Sequence, residues 1–258
     1  EEVIGESDAI QKAKEVLRRM AVSESPIQLI GETGTGKELF AHADPRASRR
    51  RNGPFVAINV AAFPENLLES ELFGYEEGAF TGAKKGGRLG LLEISHQGTL
   101  FLDEVEGMSP ALQVKLLRVL QEREIMRVGG TSIIPIDVRI VAATNESLER
   151  KVAEGTFRRD LYYRLNVIQL EMPPLRYRRA DLKTLTEKFI KRFCESFGKP
   201  VPEITADFWK TVNQYNWPGN IRELENAIES AVALCGDQLS ADCLPLRVGQ
   251  VRAEERGE

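Results

Sequence analysis

The sequence is short of the residues from which metal centres and covalent frameworks are built. It has three cysteines, Cys194, Cys235 and Cys243, with no CxxC pair, and two histidines, His42 and His96. Zinc sites need closely spaced Cys or His ligands, and disulfide scaffolds need several cysteines in a short chain. We therefore expect neither, and we expect the cysteines to be reduced and packed as small apolar groups.

Long apolar runs and an excess of positive charge are also missing. No stretch approaches the roughly 18 consecutive apolar residues of a membrane-spanning helix, and no secretory apolar segment is recognisable. The formal net charge is −4, so the chain has no general attraction for nucleic acid. We expect a cytoplasmic protein without membrane contact.

Five short apolar runs of β type alternate with helical patterns. The 258 residues suffice for one large α/β domain and a small satellite. Strands that alternate with helices predict a parallel sheet with right-handed crossovers. The predicted strands are Ile27 to Ile30, Phe55 to Asn59, Thr99 to Asp103, Val138 to Ala143 and Val167 to Glu171. The clearest helix begins with Ser109 as its cap and Pro110 in its first turn.

The pattern changes at Pro173 and Pro174, after which the β-type runs stop. Two apolar stripes at helical spacing follow, beginning at Leu182 and at Leu224. The two prolines therefore predict a hinge between domains. We expect an α/β nucleotide-binding subdomain in residues 1–173, a helical lid in 174–247 and a flexible tail in 248–258.

A glycine-rich segment follows the first predicted strand and opens an amphipathic stretch. It consists of Gly31, Glu32, Thr33, Gly34, Thr35, Gly36, Lys37 and Glu38. Strand, turn and helix N-terminus together direct backbone N–H groups and a helix dipole at one anion. Gly34 and Gly36 let the backbone wrap phosphates, while Lys37 places an ammonium on the terminal ones. Glu38 stands where the general motif has a magnesium-binding hydroxyl, and the bare pattern also fits an incidental glycine-rich turn.

Two adjacent carboxylates, Asp103 and Glu104, end a later apolar strand. At the carboxyl edge of a sheet, the first acid can hold Mg²⁺ and the second can orient and polarise a water molecule. Alone, the pair could simply solvate the end of a buried strand. Together with a phosphate loop in the same sheet, it predicts hydrolysis of a nucleoside triphosphate.

A second glycine-rich segment has no place in a minimal nucleotide-binding domain. It consists of Gly78, Ala79, Phe80, Thr81, Gly82 and Ala83. Glycines on both sides of a Phe-Thr tip are typical of a mobile loop that presents an aromatic side chain to a partner. The alternative is an ordinary surface turn with its phenylalanine packed into the core.

This hexapeptide resembles the GAFTGA signature of bacterial enhancer-binding proteins, the AAA+ activators of sigma-54 RNA polymerase. The resemblance extends from about Ile4 to Ala233, and Glu38 is typical of that family. The other matching segments are Glu69-Ser-Glu-Leu-Phe-Gly74, Gly98-Thr-Leu-Phe-Leu-Asp-Glu104, Leu116-Leu-Arg-Val-Leu120, Ala142-Ala-Thr-Asn145, Phe157-Arg-Arg-Asp-Leu-Tyr-Tyr-Arg-Leu165 and Trp217-Pro-Gly-Asn-Ile-Arg-Glu-Leu224. The resemblance implies a AAA+ P-loop NTPase fold, a five-stranded parallel sheet flanked by helices and followed by a small helical lid, with ATP and Mg²⁺ as cofactors.

The resemblance also implies roles for individual residues. Asp103 resembles the magnesium-side acid and Glu104 the water-activating acid. Asn59 resembles the switch residue that holds this glutamate inactive. Thr144 and Asn145 resemble the first sensor, which reports the γ-phosphate.

Three arginines resemble residues that act on nucleotide. Arg158 and Arg164 resemble trans-acting arginine fingers, which stabilise charge on a neighbouring subunit's phosphoryl group. Arg222 resembles the second sensor, in a helix that Asn220 can cap and Glu223 can complete as a capping box. The alternative for each arginine is a solvated salt-bridge partner.

Two further segments carry expectations. Residues Arg127 to Pro135 resemble a second pore-facing loop that supports the first, and they also fit a β-hairpin with a Gly-Gly turn. Asp44 and Pro45 depart from the family pattern, and Pro45 is expected to stop its helix at about Ala43. This departure bears on the packing of residues 42–52 and not on the phosphate site.

The resemblance implies a ring, expected to be a hexamer, in which ATP hydrolysis moves the Phe80-Thr81 loop against sigma-54. The closed promoter complex is thereby remodelled. Relatives add a regulatory domain before this module and a helix-turn-helix domain after it, so DNA contact is expected only through a domain absent from this chain.

Two alternatives remain. One is a ligand-responsive DNA-binding repressor with a degenerate ATPase module, against which Asp103, Glu104 and Arg164 argue. The other is a AAA+ helicase or loader, which should have a basic pore loop in place of Phe-Thr and a less acidic chain.

Overall fold

The computed structural model of the chain describes residues 5–47, 49–245 and Val248, with residues 44–47 described only through their backbone. The helices are α1 (Asp8–Met20), α2 (Lys37–Ala47), α3 (Glu65–Phe73), α4 (Leu91–Ile94), α5 (Pro110–Glu122), α6 (Leu148–Ala153), α7 (Arg159–Leu165), α8 (Leu182–Phe197), α9 (Ala206–Gln214) and α10 (Asn220–Leu234). The strands are β1 (Ile27–Ile30), β2 (Phe55–Asn59), β3 (Gly74–Tyr75), β4 (Arg88–Leu89), β5 (Thr99–Asp103), β6 (Glu124–Ile125), β7 (Ile134–Pro135), β8 (Arg139–Thr144), β9 (Ile168–Glu171), β10 (Glu203–Ile204) and β11 (Gln238–Leu239).

Five strands form one sheet in the order β2-β5-β8-β1-β9, and every neighbouring pair is parallel. This confirms the predicted five-stranded parallel sheet. β8 is buried along its whole length, as expected where helices cover both faces of a parallel sheet. β8 and β9 each begin one residue later than predicted, because an apolar run marks a strand more reliably than it marks the strand's ends.

The described chain divides into two compact units. The first contains Ala13–Gly31 and Lys37–Met172, and the second contains residues 5–12, 32–36, 173–245 and Val248. The sequence-based division placed residues 5–12 and 32–36 with the α/β part. It also began a tail at Val248, which is buried in the core of the second unit; the rest of the predicted tail lies outside the described residues.

The core of the first unit lies between the sheet and the helices α3, α5 and α7. Leu102 in β5, Leu116 in α5 and Leu161 in α7 are among its buried members. α5 begins as predicted: Pro110 is its first residue, and Ser109 Oγ accepts a hydrogen bond from Leu112 N at 3.3 Å. A helix held at its start by this cap presents its apolar stripe to the sheet.

α2 continues to Ala47, so the prediction that Pro45 would stop it at about Ala43 is wrong. Proline removes one N–H donor to the preceding turn, but its fixed φ is itself helical. Near the end of a helix, it therefore weakens a turn without forcing the chain to change direction. The side chains of Asp44 and Pro45 lie outside the described part of the molecule.

The second unit is a three-helix structure with its own core. α8, α9 and α10 surround Phe189, Phe208, Trp217 and Ile228. α8 ends at Gly198, whose φ of +65° is the left-handed conformation that favours glycine. The short parallel pair β10–β11 joins Ile204 to Leu239, an element that the sequence did not predict.

All three cysteines are free. Cys194 and Cys235 lie in the core of the second unit, where burial raises the pKa of both thiols. As expected, they pack as small apolar groups. Within the described ranges, no helix is long and apolar enough to cross a membrane.

Candidate active site

Candidate residues of the first unit lie at the carboxyl ends of neighbouring strands. Asn59 and Asp103 are register partners at the ends of β2 and β5. Thr144 ends β8 opposite Ile30 of β1, and its carbonyl oxygen accepts a hydrogen bond from Gly31 N at 3.1 Å. Ligands of open α/β sheets bind at this edge. The sheet therefore brings the predicted switch, acid, sensor and phosphate-loop positions together.

Glu104 leaves the sheet in an unusual backbone conformation. Its φ of 52° and ψ of 45° are left-handed, and its N–H donates to Asp103 Oδ1 at 2.9 Å. A left-handed non-glycine residue costs about 1–3 kcal/mol and persists where its surroundings impose it, most often at functional sites. β5 therefore ends at Asp103, and Glu104 begins the turn that follows it.

The acidic edge suits a magnesium ion held mainly by phosphates and water. No cluster of three His, Cys, Asp or Glu side chains that could hold a metal occurs among the described residues. Mg²⁺ at phosphoryl-transfer sites takes one or two carboxylates plus phosphate and water oxygens. Asp103 supplies such an oxygen at the sheet edge. Glu38 is exposed in the first turn of α2, where an acidic side chain interacts favourably with the helix dipole.

The switch and sensor side chains make local hydrogen bonds. Asn59 Oδ1 accepts from Ala61 N at 2.9 Å and caps a 3₁₀ turn, so its described side-chain bond is not to Glu104. Thr144 Oγ1 donates to the carbonyl oxygen of Glu146 at 2.8 Å. Thr144 is buried and Asn145 is exposed. The sensor pair thus has one fixed member and one that faces solvent.

Lys37 is held at the start of α2. Its side chain is nearly buried, and Nζ donates to the carbonyl oxygen of Gly31 at 2.5 Å. The ammonium group thus lies at the carboxyl end of β1. This is where a phosphate-binding lysine is required.

Residues 32–36 of the glycine-rich segment pack closely against the start of α10. Gly34 has φ +82°, and a Cβ there would lie 2.2 Å from the carbonyl oxygen of Gly219. Gly36 has φ +87°, and Thr35 Oγ1 donates to the carbonyl oxygen of Glu32 at 2.8 Å. A side chain at Gly34 would push the backbone apart. Glycine at position 34 is therefore required for the close approach of this segment to the start of α10.

Asn220 does not cap α10, contrary to the prediction. The preceding residue is Gly219, with no side-chain cap bond, and Asn220 itself has φ +55°. Its Oδ1 accepts from Leu175 N at 2.8 Å, and its Nδ2 donates to the carbonyl oxygen of Thr33 at 3.1 Å. The Asn220 side chain is occupied by these longer-range bonds. The predicted capping box with Glu223 is absent as well, since the backbone N–H of Asn220 donates to the carbonyl oxygen of Trp217 at 2.8 Å.

Within the second unit, Glu32 forms an ion pair with Arg176. Arg176 donates to its two carboxylate oxygens at 2.8 and 2.5 Å, and Asn220 Nδ2 lies 3.1 Å from one of them. The hydrogen bonds from Arg176 hold the pKa of Glu32 below its usual value. Sequence reasoning missed Arg176, because the two residues are 144 positions apart. Arg222, the predicted sensor, donates its backbone N–H to Gly34 O at 3.2 Å and has an exposed side chain.

Arg158 stands at the start of α7. Its guanidinium donates to both carboxylate oxygens of Asp160, at 3.0 and 2.8 Å, and both side chains are 46% exposed. Its backbone N–H donates to Gln113 Oε1 at 2.8 Å. Sequence reasoning missed Gln113, although a glutamine on the apolar stripe of α5 was a visible signal.

Arg164 lies at the opposite edge of the sheet from Gly31 and Asp103. Its guanidinium donates to the carbonyl oxygen of Leu120 at 3.5 Å. It lines a cavity of about 310 Å³ with Pro26 and Val138, which directly precede β1 and β8. A four-residue strand is about 13 Å long. Arg164 is therefore remote from the acidic edge of its own subunit.

The loop at residues 78–83 is exposed at its tip. Phe80 is 45% exposed and packs edge-on against Tyr75, with ring centroids 4.9 Å apart. Gly78 and Gly82 have φ of +78° and +93°, and no atom lies within 4 Å of a Cβ built at either. The phenylalanine rests on the base of the loop and is not part of the core.

The second loop is a β-hairpin that lies against this base. β6 and β7 pair antiparallel. Val128 accepts from Glu76 N at 3.0 Å and donates to Gly74 O at 2.9 Å. Arg127 donates to both carboxylate oxygens of Glu93 at 2.9 Å and to Glu76 at 3.3 Å. Backbone bonds and ion pairs therefore join the hairpin to the segment that carries residues 78–83.

Comparison with known protein families gives matches along the chain. Residues 3–171 match the family described as the Sigma-54 interaction domain, and residues 176–258 match the AAA+ ATPase lid domain. The chain is 49% identical over 242 residues to the sigma54-dependent transcriptional activator SfnR of Pseudomonas putida, covering 94% of this chain and 66% of that protein. It is 48% identical over 259 residues to the transcriptional regulatory protein ZraR of Salmonella typhimurium, covering 99% and 58%.

A third curated relative is a signal-transduction and transcriptional-control protein of Clostridium beijerinckii, 50% identical over 237 residues, covering 92% of this chain and 38% of that protein. The chain thus spans from 38% to 66% of the length of these relatives. Among solved structures, NtrX from Brucella abortus in complex with ATP is 39% identical with a TM-score of 0.90, covering 97% of this chain and 55% of that one. The chain therefore belongs to the family of sigma-54-dependent transcriptional activators, with a AAA+ P-loop NTPase domain and its helical lid.

Proposed function

We propose that this chain hydrolyses ATP as part of a ring, a hexamer, and uses the hydrolysis to remodel the closed complex of sigma-54 RNA polymerase. The observation that carries this proposal is the shared strand edge. There, Asn59, Asp103 and Thr144 end neighbouring strands beside Gly31. A parallel sheet with this edge is suited to placing a triphosphate against an acid pair.

Residues 31–38 hold the phosphates of ATP through backbone N–H groups and the start of α2, and Lys37 contacts the terminal phosphates. Asp103 would hold Mg²⁺, which would neutralise charge on the phosphates. Glu104, turned away from the strand by its left-handed backbone, orients the attacking water and polarises it. The relative NtrX solved with ATP supports nucleotide binding at this fold.

The active site is completed by a neighbouring subunit. Arg164 lines the edge of the sheet opposite Asp103, so it does not reach its own nucleotide in this arrangement. Arg158 is exposed at the start of α7. A guanidinium from the next subunit would stabilise charge on the transferring phosphoryl group. Hydrolysis then depends on assembly.

The loop at residues 78–83 is the segment that contacts sigma-54 and transmits the effect of hydrolysis to it. Its glycines occupy open space, so the tip is free to change conformation. Phe80 offers a large apolar surface that sigma-54 can bind at low entropic cost. The hairpin at residues 124–135 supports the base of this loop and carries movement to it.

Measurement of ATP hydrolysis together with sigma-54 binding separates this function from its alternatives. An activator hydrolyses ATP and binds sigma-54 in a nucleotide-dependent manner. A repressor with a degenerate module would not hydrolyse ATP, and a helicase or loader would hydrolyse it with stimulation by nucleic acid and without affinity for sigma-54. Either of the latter results contradicts the proposal.

A further inference from the structure

Gln113 is a buried amide on the apolar face of α5. It is 1% exposed and stands beside Leu112 and one turn before Leu116. Burying an amide is costly unless its donor and acceptor groups are bonded. Its side chain makes three hydrogen bonds, all to backbone atoms.

These three bonds join two segments that are distant in sequence. Oε1 accepts from Arg158 N at 2.8 Å, and Nε2 donates to the carbonyl oxygens of Thr156 at 3.0 Å and Met108 at 2.8 Å. Met108 follows the 3₁₀ turn Val105–Gly107, which directly follows Glu104. One side chain thus connects the acidic edge to the turn that carries Arg158.

We propose that Gln113 is a positioning residue that fixes the backbone of Arg158, so that its guanidinium reaches the nucleotide of the neighbouring subunit. The inference rests on the proposed function, in which Arg158 acts across a subunit interface. Gln113 itself contacts no substrate. Its effect through Arg158 is therefore exerted on the neighbour's active site.

The chemistry of glutamine suits this role. A single terminal amide supplies one acceptor and two donors at the same distance from the backbone. Methionine fills a similar volume with an unbranched chain but makes none of these bonds. Glutamate retains an acceptor and places a second oxygen against two carbonyl oxygens. The bonds can therefore be removed with little change in packing volume.

The test is a mixing experiment with Gln113→Met. In a uniform ring, we expect ATP turnover to fall about a hundredfold, the order of loss caused by displacing a reacting group by about 1 Å. Nucleotide affinity should stay at the parental value. The Gln113→Met protein is then mixed with an equal amount of Glu104→Gln, which hydrolyses no ATP but carries an intact Arg158. Gln113→Met subunits that receive this Arg158 from a Glu104→Gln neighbour should recover ATP turnover. About a quarter of all sites then pair an intact nucleotide site with an intact arginine from the neighbour.

Two controls separate the possible results. Arg158→Ala mixed with Glu104→Gln must also recover, since it tests the trans arrangement directly; failure of this mixture overturns the proposed function as well. Gln28→Met removes another glutamine that is 1% exposed, one whose Oε1 has no hydrogen-bond partner, and it should keep the parental rate. If Arg158→Ala recovers in the mixture and Gln113→Met does not, Gln113 acts on its own site and the inference is wrong.

A folding defect would be recognised by loss of ATP binding. In that case, Gln113→Glu enters the same mixing experiment, because it preserves the acceptor for Arg158 N. Recovery with Glu104→Gln again supports the inference. Persistent loss in the mixture, with ATP binding intact, overturns it.

Discussion

Gly129 lies so close to Ala79 that a Cβ atom on it would be 2.7 Å from the Ala79 Cβ. Gly129 also has φ +73°, a conformation that costs other residues about 1–2 kcal/mol. Gly129 belongs to the hairpin loop and Ala79 to the loop at residues 78–83. Glycine is therefore required at the point where the two loops touch.

Replacing Gly129 should weaken sigma-54 binding without weakening ATP binding. Gly129→Ala pushes against Ala79, so we expect sigma-54 binding to fall at least tenfold, while ATP affinity stays unchanged. Gly198→Ala is the matched control, because Gly198 has φ +65° and open space around its Cβ position. Gly198→Ala places an alanine in the same left-handed conformation, at a similar energetic cost, without contacting either loop. Equal sigma-54 binding by the two variants would show that the contact between Gly129 and Ala79 plays no part in binding sigma-54.

Removing Arg164 should abolish turnover and spare binding. Loss of a finger arginine costs about a thousandfold or more in rate, and Arg164 is far from its own strand edge. For the parent, turnover per subunit should rise with protein concentration, because sites are completed on assembly. The exposed Arg19, paired with Glu15, gives the control Arg19→Ala, which should leave the rate unchanged. Parental turnover by Arg164→Ala rejects the assignment.

Glu104 and Lys37 should separate chemistry from binding. Glu104→Gln keeps the shape of the side chain and loses the carboxylate. The protein should therefore bind ATP with Mg²⁺ and accumulate as a ring whose ATP is not hydrolysed. Lys37→Ala should weaken ATP binding itself. The measurement is nucleotide affinity with product formation for both variants. If Lys37→Ala binds ATP as tightly as the parent, Lys37 is not part of the phosphate site.

Within the second unit, Asp181 binds the backbone of Glu6 and Ser7. It is 2% exposed and accepts hydrogen bonds from Glu6 N at 2.6 Å, Ser7 N at 2.9 Å, Ser7 Oγ at 2.6 Å and Arg178 Nε at 2.9 Å. Burial alone raises its pKa, but the bonds from Ser7, Glu6 and Arg178 outweigh burial and leave the pKa below its usual value. The stabilisation is therefore present above the unfolded-state pKa of about 3.9 and is lost as pH falls through the lower folded-state pKa.

Asp181→Asn should destabilise the second unit by about 3–5 kcal/mol at neutral pH, since it removes the carboxylate that is hydrogen-bonded to the buried Arg178. The difference from the parent should begin to shrink below about pH 4, where the carboxyl group of the unfolded chain takes up a proton, and it should be lost as pH falls through the lower folded-state pKa. Trp209 and Trp217 are the two tryptophans of the chain, and both lie in this unit, so tryptophan fluorescence during urea unfolding reports it. The exposed pair of Lys183 and Glu187 on α8, in the same unit, gives the control Glu187→Gln, expected to cost under about 0.5 kcal/mol. A pH-independent difference contradicts this interpretation.

The parallel sheet was predictable because its signals are local. Runs such as Ile27 to Ile30 and Thr99 to Asp103 are short, apolar and followed by turns or acids, and each forms a strand with those bounds. Ser109 with Pro110 marked the start of α5 for the same reason, since a cap acts within one turn. The ends of these strands also carry Asn59, Asp103 and Thr144 at one edge of that sheet.

Features that depend on distant partners were not predictable. Asn220 matches a capping residue in sequence, yet its amide is bonded to Leu175 and Thr33. The partnership of Glu32 with Arg176 spans 144 positions, and no local rule identifies it. Pro45 shows the limit of a local rule itself, because a proline near the end of α2 did not end the helix.

The coupling of hydrolysis to sigma-54 rests on the loop at residues 78–83. A nucleotide can change the affinity of this loop only if the loop differs between nucleotide states. Thr81→Ala alters the tip without touching the strand edge, so it should leave ATP binding and much of the hydrolysis intact. Thr184→Ala, an exposed threonine on α8, is the matched control.

The most direct measurement is co-migration of the chain with sigma-54 in ADP with aluminium fluoride, which mimics the transition state, and in ADP alone. The parent and Thr184→Ala should bind sigma-54 in the first condition and weakly in the second, whereas Thr81→Ala should bind in neither and should open no promoters. A Thr81→Ala protein that binds sigma-54 and opens promoters like the parent would contradict the coupling, whatever its rate of ATP hydrolysis.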